Sequence, residues 1–507
     1  MEIHHLVMNR VAKTARRLQT IPFAVIAVFF AFPVVTIAVR YLRISNLGHT
    51  LTNESLRGVW WFTTWQATAS TVLTVLLALP VTWATSRYSF RGSRIITSLI
   101  TVPFLMPAVV IATGIKAIIP NDHVPAILWA HVAFNVAVIV RIVGPRWALL
   151  DSTLEDTAAD LGASPIRTFI YVVLPHIRSA LRNAAAVVFL YCFTSFAVIA
   201  ILGGISRRTI ESEIFTQAVR LGNTNTATSL AILQAVAVLV VLYVGARTSD
   251  SLPEQTVNAT TIRKSKLGIY VAALVPLAIV ITPLIAVVVR SFTMNNHFSL
   301  NGYKWLFNGT TESVGINISS TLITSATFAI VCAIVAVTCA LLIAEAKNNP
   351  LITNTITAMP LAVSAVTLGL GIIITFNQSP INWRGDRWLI PIVHAMIALP
   401  LALRTISPAV NAVPQDLHDA SASLGANPLR TWIQIDFPLL RPALTKAAGL
   451  CAAVSLGEFG ATSFLSRSNS TTIPIAIGQL LSHPGSVMPQ AAFALATLTV
   501  VAVSALI

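Results

Sequence analysis

Two stretches carry most of the chemically competent side chains of this chain, and they are copies of one another 263 positions apart. Residues 156–181 read DTAADLGASPIRTFIYVVLPHIRSAL and residues 419–444 read DASASLGANPLRTWIQIDFPLLRPAL, aligned without a gap and identical at about half their positions. Shared are Asp156/Asp419, Ala159/Ala422, Gly162/Gly425, Pro165/Pro428, Arg167/Arg430, Pro175/Pro438 and Arg178/Arg441. An acid, a helix-breaking glycine, a proline suited to the first position of a helix and an arginine do not make a nucleophile, a general acid–base pair or a metal cage. At fixed spacing and in two copies, they make a surface for another molecule to grip. The offset extends outward to Arg141/Arg404, Pro145/Pro408, Ser195/Glu458, Phe196/Phe459 and Ile210/Ile473.

The elements that position these residues are set by lipid. Of the 507 residues, 55% are hydrophobic and 10% charged, with a mean hydropathy of +0.78; a soluble domain carries about 25% charged residues. Continuous apolar runs of about 20 residues fit helices that cross a ~30 Å hydrocarbon core, and their continuity excludes the alternating strands of a barrel. The reading is an all-α integral membrane protein of about twelve spans in two parallel six-helix repeats. The spans fall near 21–39, 63–84, 95–118, 125–143, 180–204 and 226–246, then 267–289, 318–344, 352–376, 388–406, 443–465 and 489–507.

The net charge of +15 is topogenic rather than a nucleic-acid footprint. Basic residues sit in short segments between spans, and no basic–aromatic surface domain exists to hold a nucleic acid. Arg10, Lys13, Arg16 and Arg17 precede the first run and no small-residue cleavage site follows it, so a retained span with the N-terminus in the cytoplasm is expected. Arg87, Arg91, Arg94, both copies of the repeat, Arg247, Arg263, Lys264, Lys266 and Lys347 then face the cytoplasm as well. The polar segment 247–266 links a first half, 1–246, to a second, 267–507; an even number of spans before it gives both halves one orientation. The last run ends at Ile507 without a polar tail, which leaves room for a C-terminal extension. Cys192, Cys332, Cys339 and Cys451 lie in apolar runs with no CxxC spacing and read as packing residues.

Within the first loop, Asp156, Ala159, Leu161 and Ala163 suit a short helix that Gly162 breaks. Pro165 opens a second one, carrying Ile166, Phe169, Ile170 and Val173 at helical spacing until Pro175 redirects the chain toward the membrane. Leu429, Trp432, Ile433 and Phe437 repeat the design. An amphipathic loop resting on its own bundle explains the apolar spacing, but not two copies with one set of Gly, Pro and Arg positions. At these residues the chain resembles the permease subunit of a binding-protein-dependent ABC importer, whose loop reads Glu-Ala-Ala, Gly three residues on, then Leu-Pro. Here the acid is Asp156 or Asp419, one methylene shorter; Gly162, Gly425 and Leu174-Pro175 match, and Phe437-Pro438 departs in its first residue.

The resemblance implies that each loop is a coupling helix seated on a cytoplasmic ABC ATPase, two copies of which bind ATP and Mg, while this chain holds no cofactor. It further implies an extracytoplasmic substrate-binding protein, the bacterial inner membrane as location, and six core helices per half around one path. Fusion of both halves in one chain looks like the thiamine and ferric-iron permeases. Residues 192–198 (CFTSFAV), Leu202-Gly203-Gly204 and Thr209-Ile210-Glu211 are similar to the first half of thiamine permeases, whereas 455–461 (SLGEFGA) is common to both groups. No GxxxxGK[ST] phosphate loop is present, so ATP hydrolysis is not expected of this chain.

Ser195, Phe196, Glu458 and Phe459 mark the expected substrate path. A carboxylate in a span costs about 3 kcal/mol at the bilayer centre on insertion scales, and it faces a cavity or a partner. Glu458, between Gly457 and Gly460, is therefore open to two roles: a pore or gate group for a cationic substrate, or a packing group bonded to a neighbouring helix. Lys116, His131, Asn135 and His394 read as isolated packing groups; Arg141 and Arg404 snorkel from span ends. A twelve-span transporter driven by an ion gradient is the alternative. It accounts for the duplication but gives no reason for paired docking loops. A membrane-embedded enzyme would need convergent His, Asp or Ser groups within spans, and only isolated ones occur.

Overall fold

The computed structural model describes residues 20–41, 44–120, 123–204, 206–247, 263–264, 267–308, 315–346, 356, 363–378, 381–382, 386–467 and 469–506. Regular structure there is helical apart from three two-residue ladders. Nine of the described helices are long and apolar enough to cross a membrane: Thr20–Tyr41, Glu54–Arg87, Val124–Ala148, Thr224–Gly245, Gly268–Ser291, Ile318–Glu345, Leu389–Asn411, Pro428–Gly457 and Val487–Leu506. The chain is an all-α multi-pass membrane protein.

Three of the twelve expected spans are not among these nine, and a fourth, 443–465, is broken at Glu458 between the helices Phe437–Gly457 and Gly460–Leu465. The run at 95–118 is two helices, Ser93–Leu105 and Ala108–Ile118, bent by 100°. Pro107 follows the break and forces Met106 into extended backbone, φ −78° and ψ 151°. Counting this bent pair as one span gives ten. The run at 180–204 divides where the helix Leu174–Phe193 stops at Thr194, before the short helix Ala197–Leu202. Of 352–376, most of the first half lies outside the described residues, and Ala365–Thr375 is a short helix capped by Ser364, which accepts the Thr367 N–H at 3.0 Å. The linker 247–266, apart from Arg247 and Arg263–Lys264, also lies outside them, as do Arg10, Lys13, Arg16, Arg17, Lys347 and Ile507. Arg263–Lys264 pairs in parallel with Tyr88–Ser89, tying the link to the end of the long helix Glu54–Arg87.

Each half is built on the same three-helix core. Glu54–Arg87, Val124–Ala148 and Leu174–Phe193 pack together in the first half, as Ile318–Glu345, Leu389–Asn411 and Phe437–Gly457 do in the second. A repeated hydroxyl ties the next segment to each core. Thr63 accepts the Ile210 N–H at 3.0 Å and Ser325 accepts the Ile473 N–H at 2.9 Å, satisfying amides that lipid cannot.

The halves also exchange helices. Leu267–Ser291 of the second half packs on Ala108–Ile118 of the first, while Phe32–Tyr41 of the first packs on Ala365–Thr375 of the second. Both crossings depend on a glycine against a proline. A Cβ on Gly114 would stand 2.0 Å from the Pro283 carbonyl oxygen, and one on Gly371 3.1 Å from Pro33. Small residues at such contacts let helix backbones approach where lipid provides no hydrophobic drive.

Candidate functional site

The two repeated loops fold alike because the same local rules apply twice. Short helices, Ser152–Asp160 and Gln415–Ser423, end at Gly162 and Gly425, whose φ angles are +80° and +76°. The Gly162 N–H donates to Ala159 O at 2.9 Å and the Ala163 N–H to Ala158 O at 2.9 Å. Gly425 and Ala426 repeat the pair on Ala422 and Ser421, at 3.0 and 3.1 Å. This is the double-bonded left-handed helix stop that glycine favours. No atom lies within 4 Å of a Cβ built on either glycine, so backbone angle, not crowding, demands the residue. Pro165–Thr168 and Pro428–Thr431 follow, opened by their prolines. Ser164 caps the first, accepting the Arg167 N–H at 3.4 Å, and Asn427 the second, accepting the Arg430 N–H at 2.8 Å.

The redirection expected at Pro175 does not occur. Helix runs on through it from Pro165, with a π turn at Phe169–Val173, and through Pro438 with a π turn at Trp432–Asp436. A proline clashes with the carbonyl four residues back, and widening the preceding turn relieves that clash without breaking the helix.

Asp156, Ala159, Gly162, Pro165 and Arg167 are all exposed, and so are Asp419, Ala422, Gly425, Pro428 and Arg430. Beside them stand apolar side chains at matching positions: Leu161 is 83% exposed and Leu424 88%, Ile166 72% and Leu429 68%. The loops are held from behind by different chemistry. In the first, the buried Arg87 meets Glu155 at 3.1 Å and donates to Leu150 O at 2.6 Å. In the second, the Trp432 indole N–H donates to Glu345 at 2.6 Å and His418 Nε2 lies 2.8 Å from Asp436. Asp151, which caps the first loop, accepts the Thr153 N–H at 2.9 Å, and this bond holds its carboxyl below the usual carboxylate range. Its counterpart is Pro414, which lacks that acceptor.

Four rings meet where the halves join. Phe196 stacks on Phe459 at 5.4 Å between centroids, Phe215 lies 5.5 Å from Phe196, and Phe464 meets Phe215 edge-on at 5.3 Å. Phe196 and Phe459 are repeat mates, so the stack brings one register position of each half face to face. Ser195 is half-buried beside it. Phe464 also borders a cavity of about 380 Å³ between the halves, with Tyr41, Val219, Leu370 and Arg467.

Glu458 ends the helix Phe437–Gly457 and its carboxylate turns onto the next one, Gly460–Leu465. It accepts the Ala461 N–H at 2.8 Å and the Thr462 N–H at 2.9 Å, takes the Thr462 hydroxyl, and lies 3.3 Å from His394 Nε2. His394 Nδ1 faces Ser455 Oγ at 2.8 Å. His131, the mate of His394, has Ser70 Oγ at 3.1 Å from Nδ1, while its Nε2 has no hydrogen-bond partner among the described residues. Ser195 and Ile199 stand where Glu458 and Thr462 would be. The two histidines, read singly from sequence, are thus one repeated position, and the 263-residue offset would have joined them. Lys116 donates to Ile201 O at 3.1 Å, and Asn135 to His131 O at 2.9 Å. Glu211, Phe215 and Phe464 were not singled out for the site, since their repeat mates are Pro474, Gly478 and Ile201 and no symmetry marks them.

The chain has relatives whose roles are named. It is 25% identical over 460 residues to the thiamine transport system permease protein ThiP of Brucella abortus, covering 82% of this chain and 80% of that protein. ThiP of Brucella suis matches to the same extent. The putative 2-aminoethylphosphonate transport system permease protein PhnV of Salmonella typhimurium is 30% identical over 149 residues, covering 29% of this chain and 55% of that protein. The model of the binding-protein-dependent transport system inner membrane component family matches residues 71–252 and again 350–507, once in each half. With two copies of the loop, two matching cores and this double match, the chain belongs to that family, as a fused two-half permease of an ABC importer.

Proposed function

We propose that this permease carries thiamine, released by an extracytoplasmic binding protein, through a path between its halves, driven by two copies of an ABC ATPase seated on the repeated loops. ATP and Mg are held by those subunits, in the cytoplasm of a bacterium whose inner membrane holds this chain with its N-terminus inside. The observation that carries the ATPase assignment is the pair of exposed apolar faces at one register, Leu161/Leu424 and Ile166/Leu429. Such residues gain by burial against a partner, about 25 cal/mol per Å² of apolar surface. Two seats of one design suit two identical subunits.

Nucleotide drives transport only if the closed ATPase dimer favours one arrangement of the bundle over the other. The loops supply the grip, and the helices continuous with them, through Phe193 and Gly457, end at the Phe196/Phe459 stack. A pull on the loops therefore reaches the aromatic constriction along a single helix in each half.

Thiamine is the substrate named by relatives that span both halves; 2-aminoethylphosphonate, named by a relative aligned over 29% of the chain, is the second reading. The test is co-expression with the cognate ATPase and binding protein, purification of the complex and ATP-dependent uptake of each compound into proteoliposomes. Uptake of thiamine that requires ATP is the expected result. Uptake without ATP that collapses with the proton gradient would instead support an ion-driven transporter.

A further inference from the structure

A second intramembrane carboxylate, Glu211, is less fully satisfied within the fold than Glu458. It lies in the helix Ile210–Phe215 and is fully buried. That helix packs on Ala365–Thr375 of the other half, with the Ser364 hydroxyl beside the carboxylate. One oxygen, Oε1, accepts from the Gln234 amide at 2.7 Å. The other, Oε2, has no hydrogen-bond partner placed within bonding geometry among the described residues, and neither has the Oε1 atom of Gln234. Apart from the Ser364 hydroxyl beside Glu211, neither buried acceptor has a donor among the described residues, an arrangement that folded proteins avoid unless something else supplies one.

The surroundings say what kind of donor. Phe215 is one helical turn from Glu211, on the same face, and belongs to the ring cluster with Phe196, Phe459 and Phe464. The guanidinium of Arg220 already stands over the Phe215 ring at 5.9 Å, so this ring offers a face to cations. The same segment is flanked by space on both sides. Glu213 and Gln217 line a polar cavity of about 310 Å³ with Asn53, Arg208 and Asn225, and Ala218 and Val219 line the cavity between the halves. Cavities of this size suit small molecules.

We propose that Glu211 and Gln234, with the ring of Phe215, form a binding site on the translocation path for an organic cation that carries N–H donors. The site deepens the permease reading and rests on it. It is built by the first half alone, because the second has Pro474, Thr497 and Gly478 in place of Glu211, Gln234 and Phe215.

The test uses the complete complex in proteoliposomes, with thiamine as the cationic probe and 2-aminoethylphosphonate as the zwitterionic one. Glu211→Gln keeps the shape and removes the charge. The expected result is a KM for thiamine raised at least about tenfold, with assembly and binding-protein-stimulated ATPase activity within about twofold of the unaltered complex, and partial recovery in Glu211→Asp. Thiamine uptake by an assembled Glu211→Gln complex within about twofold of the unaltered one would overturn the site and leave the permease reading intact. If Glu211→Gln does not assemble, Gln234→Met decides: the same KM shift supports the site, and unchanged uptake overturns it. Transport of 2-aminoethylphosphonate but not thiamine by the unaltered complex would also overturn the cation site, while absence of ATP-dependent uptake of both probes would instead count against the permease reading beneath it.

Discussion

Replacing Gly162 separates two reasons a loop glycine can matter. At φ +80°, holding the left-handed conformation costs an L-residue with a Cβ about 1–2 kcal/mol, and nothing within 4 Å adds a steric penalty to that. Since about 1.4 kcal/mol is tenfold, Gly162→Val should lower the population of the native helix stop by roughly 5- to 30-fold. Gly425, at +76°, should behave alike, and the double variant should lose about the sum, because the two glycines stop different helices in different loops. Asn tolerates this conformation far better than Val. Capture of the cognate ATPase by the purified permease is the assay, with Gly→Asn and Gly→Val compared in each loop. If backbone angle is the requirement, Asn retains most capture and Val loses it. Capture by the Val double variant equal to that of the unaltered chain would refute the reasoning; loss with Asn as complete as with Val would show that the partner needs the empty surface there.

Four further outcomes are expected. Gly114→Ala drives a methyl group against the Pro283 carbonyl and should destabilise the purified chain by about 1–3 kcal/mol, read as a lower unfolding temperature, with Gly371→Ala milder because its nearest atom is 3.1 Å away. Phe459→Ala removes a stack that contributes about 0.5–1.5 kcal/mol beyond burial, so a cysteine placed at Ser195 should label faster with a membrane-impermeant thiol reagent; the four native cysteines are buried and give little background. Asp151 has a depressed pKa, so its cap is intact above the unfolded carboxylate value and is lost as pH falls through the folded one; protection of the Thr153 amide, taken relative to its intrinsic exchange rate at each pH, should fall on acidification, and in Asp151→Asn it should not change. Pro175→Ala with Pro438→Ala removes the clash that widens the helices, and amide exchange across 169–173 and 432–436 should slow as those turns tighten.

The helix stop at Gly162 and Gly425 and the helix start at Pro165 and Pro428 were legible, since Gly and Pro act through nearest neighbours and need no tertiary knowledge; the unbroken run through Pro175 and Pro438 was not. Most spans were legible for the same reason: lipid imposes one rule on every residue in them. Hydropathy failed where a run of the right length is interrupted by direction rather than polarity. The turn at Met106–Pro107 leaves 95–118 as apolar as a straight span, and only the proline marks it. The helix exchange was hidden by register. Gly114 and Gly371 are 257 positions apart, not 263, so a gap-free comparison of the halves misses them. Glu211 was hidden for the opposite reason: a group used once per molecule has no repeat mate to draw the eye.

The π turns at Phe169–Val173 and Trp432–Asp436 stand at one register in both halves, each ending two residues before its proline. An α-helix advances about 1.5 Å and turns about 100° per residue, so a rod that holds one surplus residue near its driven end stores that much travel and rotation in reserve. If the loops are gripped as proposed, each half would receive force through a shaft with a slipping collar. Its far end, at the aromatic stack, can stay in phase while the near end follows the rotation of whatever grips it, and the two shafts carry this slack at the same height.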